Sequence, residues 1–242
     1  MHEIFQQVLS ELTAAFRRLE AQVPAPAKLP YKDGFVVRYV EKTPKQALLQ
    51  KFARQISGLH ALNLLQRNGF LQEQGVIQRT LDDIDEDIAF IALALIKGDW
   101  TDHHTRYLDD FWSDDPSGAV KRDKIRAYVN RVGGLTDPSS ANANGRTIFR
   151  AYSGYVHAAS VNIVDMCAGE PMTYRLAGMC DSPLYADHCD DAWNYYYRGL
   201  ASSVFVAHAF EDEELRSERY TSLKGFEAQF AHKIFPASAA LA

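Results

Sequence analysis

Arg150 and His157 lie seven positions apart in the stretch RAYSGYVHAAS, close to two turns of a helix. That spacing puts both side chains on one face. An imidazole exchanges protons near neutral pH and a guanidinium holds an oxyanion, so the pair has the residue types of a catalytic row. Tyr152 stands on the adjacent face. The same stretch is also poor in bulk, because Ala151, Ser153, Gly154, Ala158, Ala159 and Ser160 are all small. A helix that smooth lets neighbours come close, and its remaining tyrosines and histidine then need partners inside the protein. The residues support both a catalytic row and a close-packed structural one.

A second charged row runs through VIQRTLDDIDEDIAFIALALI. Ile77, Leu81, Ile84, Ile88, Ile91 and Leu95 form an apolar stripe at helical period. Arg79, Asp83, Glu86 and Phe90 occupy the opposite face, with Asp82 at its margin, and that face runs into a segment that is apolar all round. Either the charges are solvated, with Arg79 and Asp83 paired one turn apart, or Arg79 and Glu86 point into a polar pocket between helices.

The elements that must carry these rows are helices. Ile4, Phe5, Val8, Leu9, Leu12, Phe16 and Leu19 recur at helical spacing and predict an N-terminal amphipathic arm over residues 1–22. A proline-rich linker, 23–42, follows, with Phe35–Val40 extended and no second strand signal to pair with it. The main domain spans 43–235. Thr43-Pro44 starts a helix that stops at Asn68-Gly69; further helices are expected over 74–97, 101–112, 119–132, 146–167 and from Ser182-Pro183 to about Phe210. EDEEL opens a last helix, and residues 236–242 form a frayed tail. The fold class is all-α, an irregular multi-helix bundle with an N-terminal helical arm that is free to pack across a partner in a homodimer.

Composition narrows the function. With 26 Lys+Arg against 31 Asp+Glu the formal net charge is −5, so there is no broad positive field for nucleic acid. Lys121, Arg122, Lys124, Arg126 and Arg131 form a local basic run, either a patch or a solvated helix face. No apolar run is long enough to cross a membrane, the start of the chain lacks a signal-peptide pattern, and three cysteines occur without a CxxC. A soluble, cytoplasmic protein with no membrane partner is expected. Glu-x-x-His, a glycine-rich phosphate loop and G-x-S-x-G are all absent, so no cofactor and no metal are implied by motif. Asp99 and His103 could share a face, though solvated side chains explain them as well. The DDIDED run admits a third reading, a magnesium-dependent nucleotide hydrolase, which needs a second acidic helix. Trp193, Tyr196 and Tyr197 read as core.

Two resemblances attach to these residues. Arg150-x6-His157 resembles the Arg-x(4–6)-His signature of HEPN domains, which are helical, often dimeric, and in many cases metal-independent ribonucleases. Arg54-x5-His60 matches the signature too, and Ala151 departs from the polar residue usual after the arginine. The wider pattern is similar to a bacterial all-helical family without an assigned activity, which pairs an Arg…acid helix with a Tyr-Ser-x-x-Val-His-x-x-Ser helix. Arg79, Asp82, Asp83 and Glu86 match the first helix; Tyr152, Ser153, Val156, His157 and Ser160 match the second. That resemblance covers roughly 45–210 and implies that the two helices face each other across a shared polar site. The function expected is HEPN-like RNA or nucleotide processing, or nucleotide binding; the HEPN resemblance implies that His157 is the general acid and base and that Arg150 or Arg79 holds phosphate, with Tyr152 at the same site and Glu86 orienting an arginine or the histidine. The alternative is a non-catalytic protein-interaction module in which the Arg/Glu/Tyr/His row is structural.

Overall fold

A computed structural model describes residues 2–133 and 152–230. The chain is predominantly all-α, with two small two-stranded sheets. Its helices are α1 (His2–Glu20), α2 (Pro44–Arg67), α3 (Leu71–Lys97), α4 (Asp102–Phe111), α5 (Arg122–Val132), α6 (Ser160–Ile163), α7 (Leu184–Ala209) and α8 (Glu213–Gln229). Residues 152–156 are also helical. Strands β1 (Ala27–Tyr31) and β2 (Gly34–Arg38) form a hairpin, and β3 (Cys167–Ala168) and β4 (Thr173–Tyr174) form a minimal second one.

The α2 start follows the sequence expectation. Thr43 caps it, its hydroxyl accepts from the Gln46 N–H, and the Gln46 side chain accepts from the Thr43 N–H. Asn68-Gly69 ends it. Gly69 has φ of 72°, and a Cβ there would meet the Met179 and Cys180 backbone nitrogens at 2.5 and 2.6 Å, so glycine alone fits. The chain then reverses into α3, which begins at Leu71, earlier than the expected residue 74. Helices α2, α3 and α7 pack on one another as the centre of the bundle, and α5 lies on the far side of α3.

The expected arm is part of that centre. α1 buries Phe5, Leu9, Leu12 and Leu19 against α2 and α7 of its own chain. The Phe5 ring stacks on Tyr196 at 4.0 Å. Arg18 donates to Asp212 at 2.7 and 2.6 Å, joining α1 to the cap of α8.

The segment expected to be linker holds a hairpin. Register pairs Ala27 with Arg38, Leu29 with Val36 and Tyr31 with Gly34. Lys32 takes the left-handed conformation, with φ of 50°. Asp33-Gly34 is a turn signal, but Pro30 and Lys28 in β1 disguise the first strand.

On the other side of the bundle, α4 turns His104 inward. Its Nδ1 accepts from the Thr101 N–H at 3.0 Å, completing the cap of α4. Its ring stacks on Phe90 at 3.9 Å and meets Tyr128 edge-on at 4.5 Å. Burial of this almost inaccessible ring holds its pKa down to about 4, from 6.5. An unfolded histidine gains its proton near pH 6.5 and the folded one only near 4, so protons favour the unfolded chain in between. Stability should be full above about pH 6.5 and fall by on the order of 3 kcal/mol by pH 4. Urea unfolding of wild type and His104→Gln across that window checks this: the glutamine keeps an acceptor for Thr101 and should flatten the slope.

Candidate functional site

Helix α3 carries five acids in its middle, Asp82, Asp83, Asp85, Glu86 and Asp87, and each meets a cation. Successive acids on a helix point 100° apart, so the run radiates toward different neighbours. On the α7 side, Arg198 spans Asp82 and Asp85, with 2.7 Å from Nε to Asp85. The Ser202 hydroxyl donates to the other Asp85 oxygen at 2.6 Å, and Gln55 of α2 donates to the same oxygen at 3.0 Å. On the α5 side, Arg126 donates to Glu86 at 2.6 Å, and Arg122 donates to Asp87 at 2.5 Å and to the Asp83 carbonyl at 3.1 Å. Lys51 of α2 reaches the second Asp87 oxygen at 2.7 Å. Arg79 pairs with Asp83 at 2.8 Å, the spacing expected one turn along the helix.

Five cations therefore match five acids: Lys51, Arg79, Arg122, Arg126 and Arg198. Burial raises the pKa of Asp82 and Glu86, and Arg198 and Arg126 respectively oppose that rise. Burial disfavours the Arg198 charge, but Asp85 and Asp82 outweigh it and lift its pKa above the usual value. Carboxylates held this way are poor bases and poor metal ligands, since a guanidinium must leave first. Among the described residues, no group of three or more His, Cys, Asp or Glu side chains is placed to hold a metal ion.

The sequence-predicted site residues divide. Arg79 pairs with Asp83 along α3, and Glu86 faces α5, where it orients Arg126. Tyr152 stands by the α7 side: its ring meets Tyr195 edge-on at 6.3 Å. Burial first, then Asp191 and Asp82, push its pKa up to about 12. Arg150 lies outside the described residues. His157 is exposed and joins neither Arg79 nor Glu86.

The reason is a break in the expected 146–167 helix. Ala158 adopts φ of 50°, the Ala159 N–H returns to the Gly154 carbonyl at 2.9 Å, and the chain restarts as α6. His157 sits on that turn. The small residues serve the reversal: a Cβ on Gly154 would strike the Asn162 side chain at 2.2 Å. Close approach to α3 comes instead from Gly75, where a Cβ would meet the Tyr155 ring at 2.6 Å. Tyr152, Tyr155, Asp165, Asp187, His188 and Asp191 line a cleft of about 300 Å³ there.

Sequence reasoning missed Lys51, Gln55, Arg122, Arg126 and Arg198 as members of the network. A signal existed for α5: the basic run from Lys121 is complementary in charge to the acidic run of α3. Arg198, set among aromatic residues in YYYRGL, gave none.

Comparison of the chain with protein-family models, with curated proteins and with solved structures gives no match. No helix among the described residues is long and apolar enough to cross a membrane.

Replacing Arg198 with alanine leaves the buried Asp82 and the partly buried Asp85 without their cation. We expect a loss of about 3–5 kcal/mol in equilibrium unfolding. A loss below about 1 kcal/mol would show that the row is solvated.

Proposed function

We propose that the chain is a non-enzymatic helical module that binds a partner protein, which adds an extended segment to the open edge of β2. The carrying observation is where apolar surface is left uncovered. Leu29, Tyr31, Phe35, Val37 and Val40 are all large and exposed in the hairpin and its exit, with Phe35 at 59% and Val40 at 61%, and a second exposed apolar group, Val156, Val161, Val164, Met172, Tyr174 and Leu176, lies apart from it in sequence. Such clustering marks interaction surface. The hairpin exit leads into a cleft of about 540 Å³ lined by Val37, Tyr39, Phe111 and Trp112.

Register selects the edge. In a two-residue hairpin the residues flanking the loop form the hydrogen-bonded pair, here Tyr31 and Gly34. Residues 28, 30, 35 and 37 therefore aim their backbone groups outward. On β1 one of these is Pro30, which has no N–H; on β2 they are Phe35 and Val37, both intact. Charge selects the partner. Residues 27–42 carry Lys28, Lys32, Arg38 and Lys42 against Asp33 and Glu41, a net +2 within a chain of net −5. An extended segment alternating apolar and acidic residues fits that edge.

The charge-matched row supports a structural role for Arg79 and Glu86. One observation favours the ribonuclease reading: His157 is exposed, as a histidine must be to meet RNA. The three carboxylates in the neighbouring cleft disfavour a phosphate there.

Binding of a labelled peptide alternating valine and glutamate tests the proposal. Val37→Pro removes one outward N–H without touching the hairpin's own pairs, and should weaken binding at least tenfold with unchanged circular dichroism. Equal binding sinks strand addition, and a stable dimer abolished by Val37→Pro would make the occupant a second copy. RNA cleavage lost in His157→Ala would instead establish the nuclease.

A further inference from the structure

Beside the charge row, α2, α4, the loop at 116–121 and the start of α5 enclose a cleft of about 600 Å³. Its floor is charged and its walls are apolar. Lys51 and Arg122 both grip one carboxylate, Asp87, at 2.7 and 2.5 Å, and Asp87 is itself buried. Tyr107, Phe111, Val120 and Ile125 supply the walls.

Three features mark this cleft as a ligand site. First, its polar lining is cationic: Lys51, Lys121 and Arg122 face Asp87 and Asp110, a net +1. Asp110 is turned to another task, accepting from the Ser117 and Gly118 N–H groups at 2.7 and 3.0 Å and so shaping the mouth. Those hydrogen bonds also hold its pKa below the usual carboxylate range.

Second, Lys51 is not fully engaged. An ammonium has three donors, and among the described residues this one meets a single acceptor, Asp87. It stands 4.9 Å from the Phe111 ring centre and 5.5 Å from that of Tyr107, a half-buried cation over two aromatic rings. Two of its donors remain for an oxygen entering the cleft. Third, the volume lies in the range of small-molecule pockets, where apolar walls and a few convergent polar groups divide the work of binding.

We propose that this cleft binds a small organic anion, a carboxylate head on a flat apolar body. The head takes the uncommitted donors of Lys51, with Arg122 and Lys121 adding field, and the body lies between Phe111, Val120 and Ile125. The floor rejects a cationic ligand, and the apolar walls give a bare inorganic anion nothing to pack on. This proposal is independent of the hairpin, which lies outside the cleft.

The probe is 2-naphthoate, titrated by calorimetry into the full chain, with the neutral 2-naphthalenemethanol as control. The naphthoate should bind and the alcohol bind at least tenfold more weakly. Lys51→Met should cost at least tenfold in naphthoate affinity. Val120→Asp, which puts a carboxylate on the wall and leaves the Asp87 cluster alone, should abolish binding and carries the test if Lys51→Met does not fold. No binding of naphthoate at millimolar concentration, equal binding of acid and alcohol, or full affinity in Val120→Asp would each overturn the assignment.

Discussion

Five carboxylates within six consecutive positions of a central helix, Asp82 and Asp87 buried and the other three partly so, can be packed against neighbouring helices only if a cation reaches each of them. The rest of the bundle is arranged to meet that condition. Lys51 comes from α2, Arg122 and Arg126 from α5, and Arg198 from α7, so three neighbours are tied to one rotational setting of α3. Apolar contacts tolerate sliding and repacking. A guanidinium displaced from Asp82 or Glu86 leaves an uncompensated and largely desolvated charge. The Ile84 and Ile88 row fills the core, and the acids fix how the helices meet around it.

Much of this architecture was legible in the sequence because it rests on local physics. Thr43-Pro44, Asn68-Gly69 and the apolar periods of α1 and α3 are short-range signals, and they place the helices within a few residues. The Arg79–Asp83 pair is local too. Arg198 with Asp82, or Arg126 with Glu86, joins residues separated by 116 and 40 positions, and no period in a sequence records such a pairing. The arm shows the same limit. Its amphipathic face was clear, but whether that face meets its own chain or another is decided by Tyr196, far along the sequence.

RAYSGYVHAAS shows a different failure. The helix expected over 146–167 does not continue past His157, and Arg150 lies outside the described residues. The helix ends there because Ala158 takes a left-handed conformation that sequence normally announces with glycine or asparagine. Tertiary contacts around Gly154, Asn162 and Gln72 enforce the turn; Gln72 donates to the Asn162 carbonyl at 2.7 Å. Tyr152 and Tyr155 thus stay with the bundle while His157 is turned out to solvent.

The bundle and the hairpin then have opposite physical characters. The bundle is locked by matched charges and a continuous core. The hairpin is two short strands with exposed apolar residues, and such a ribbon is marginal in water without further strands or packing. A third strand on β2 would supply both, satisfying the outward groups of Phe35 and Val37 and covering their side chains. The rigid part holds the ribbon in place through Tyr39 against Trp112 and the Arg38–Asp114 ion pair. The ribbon itself is left incomplete at the one edge that proline does not block.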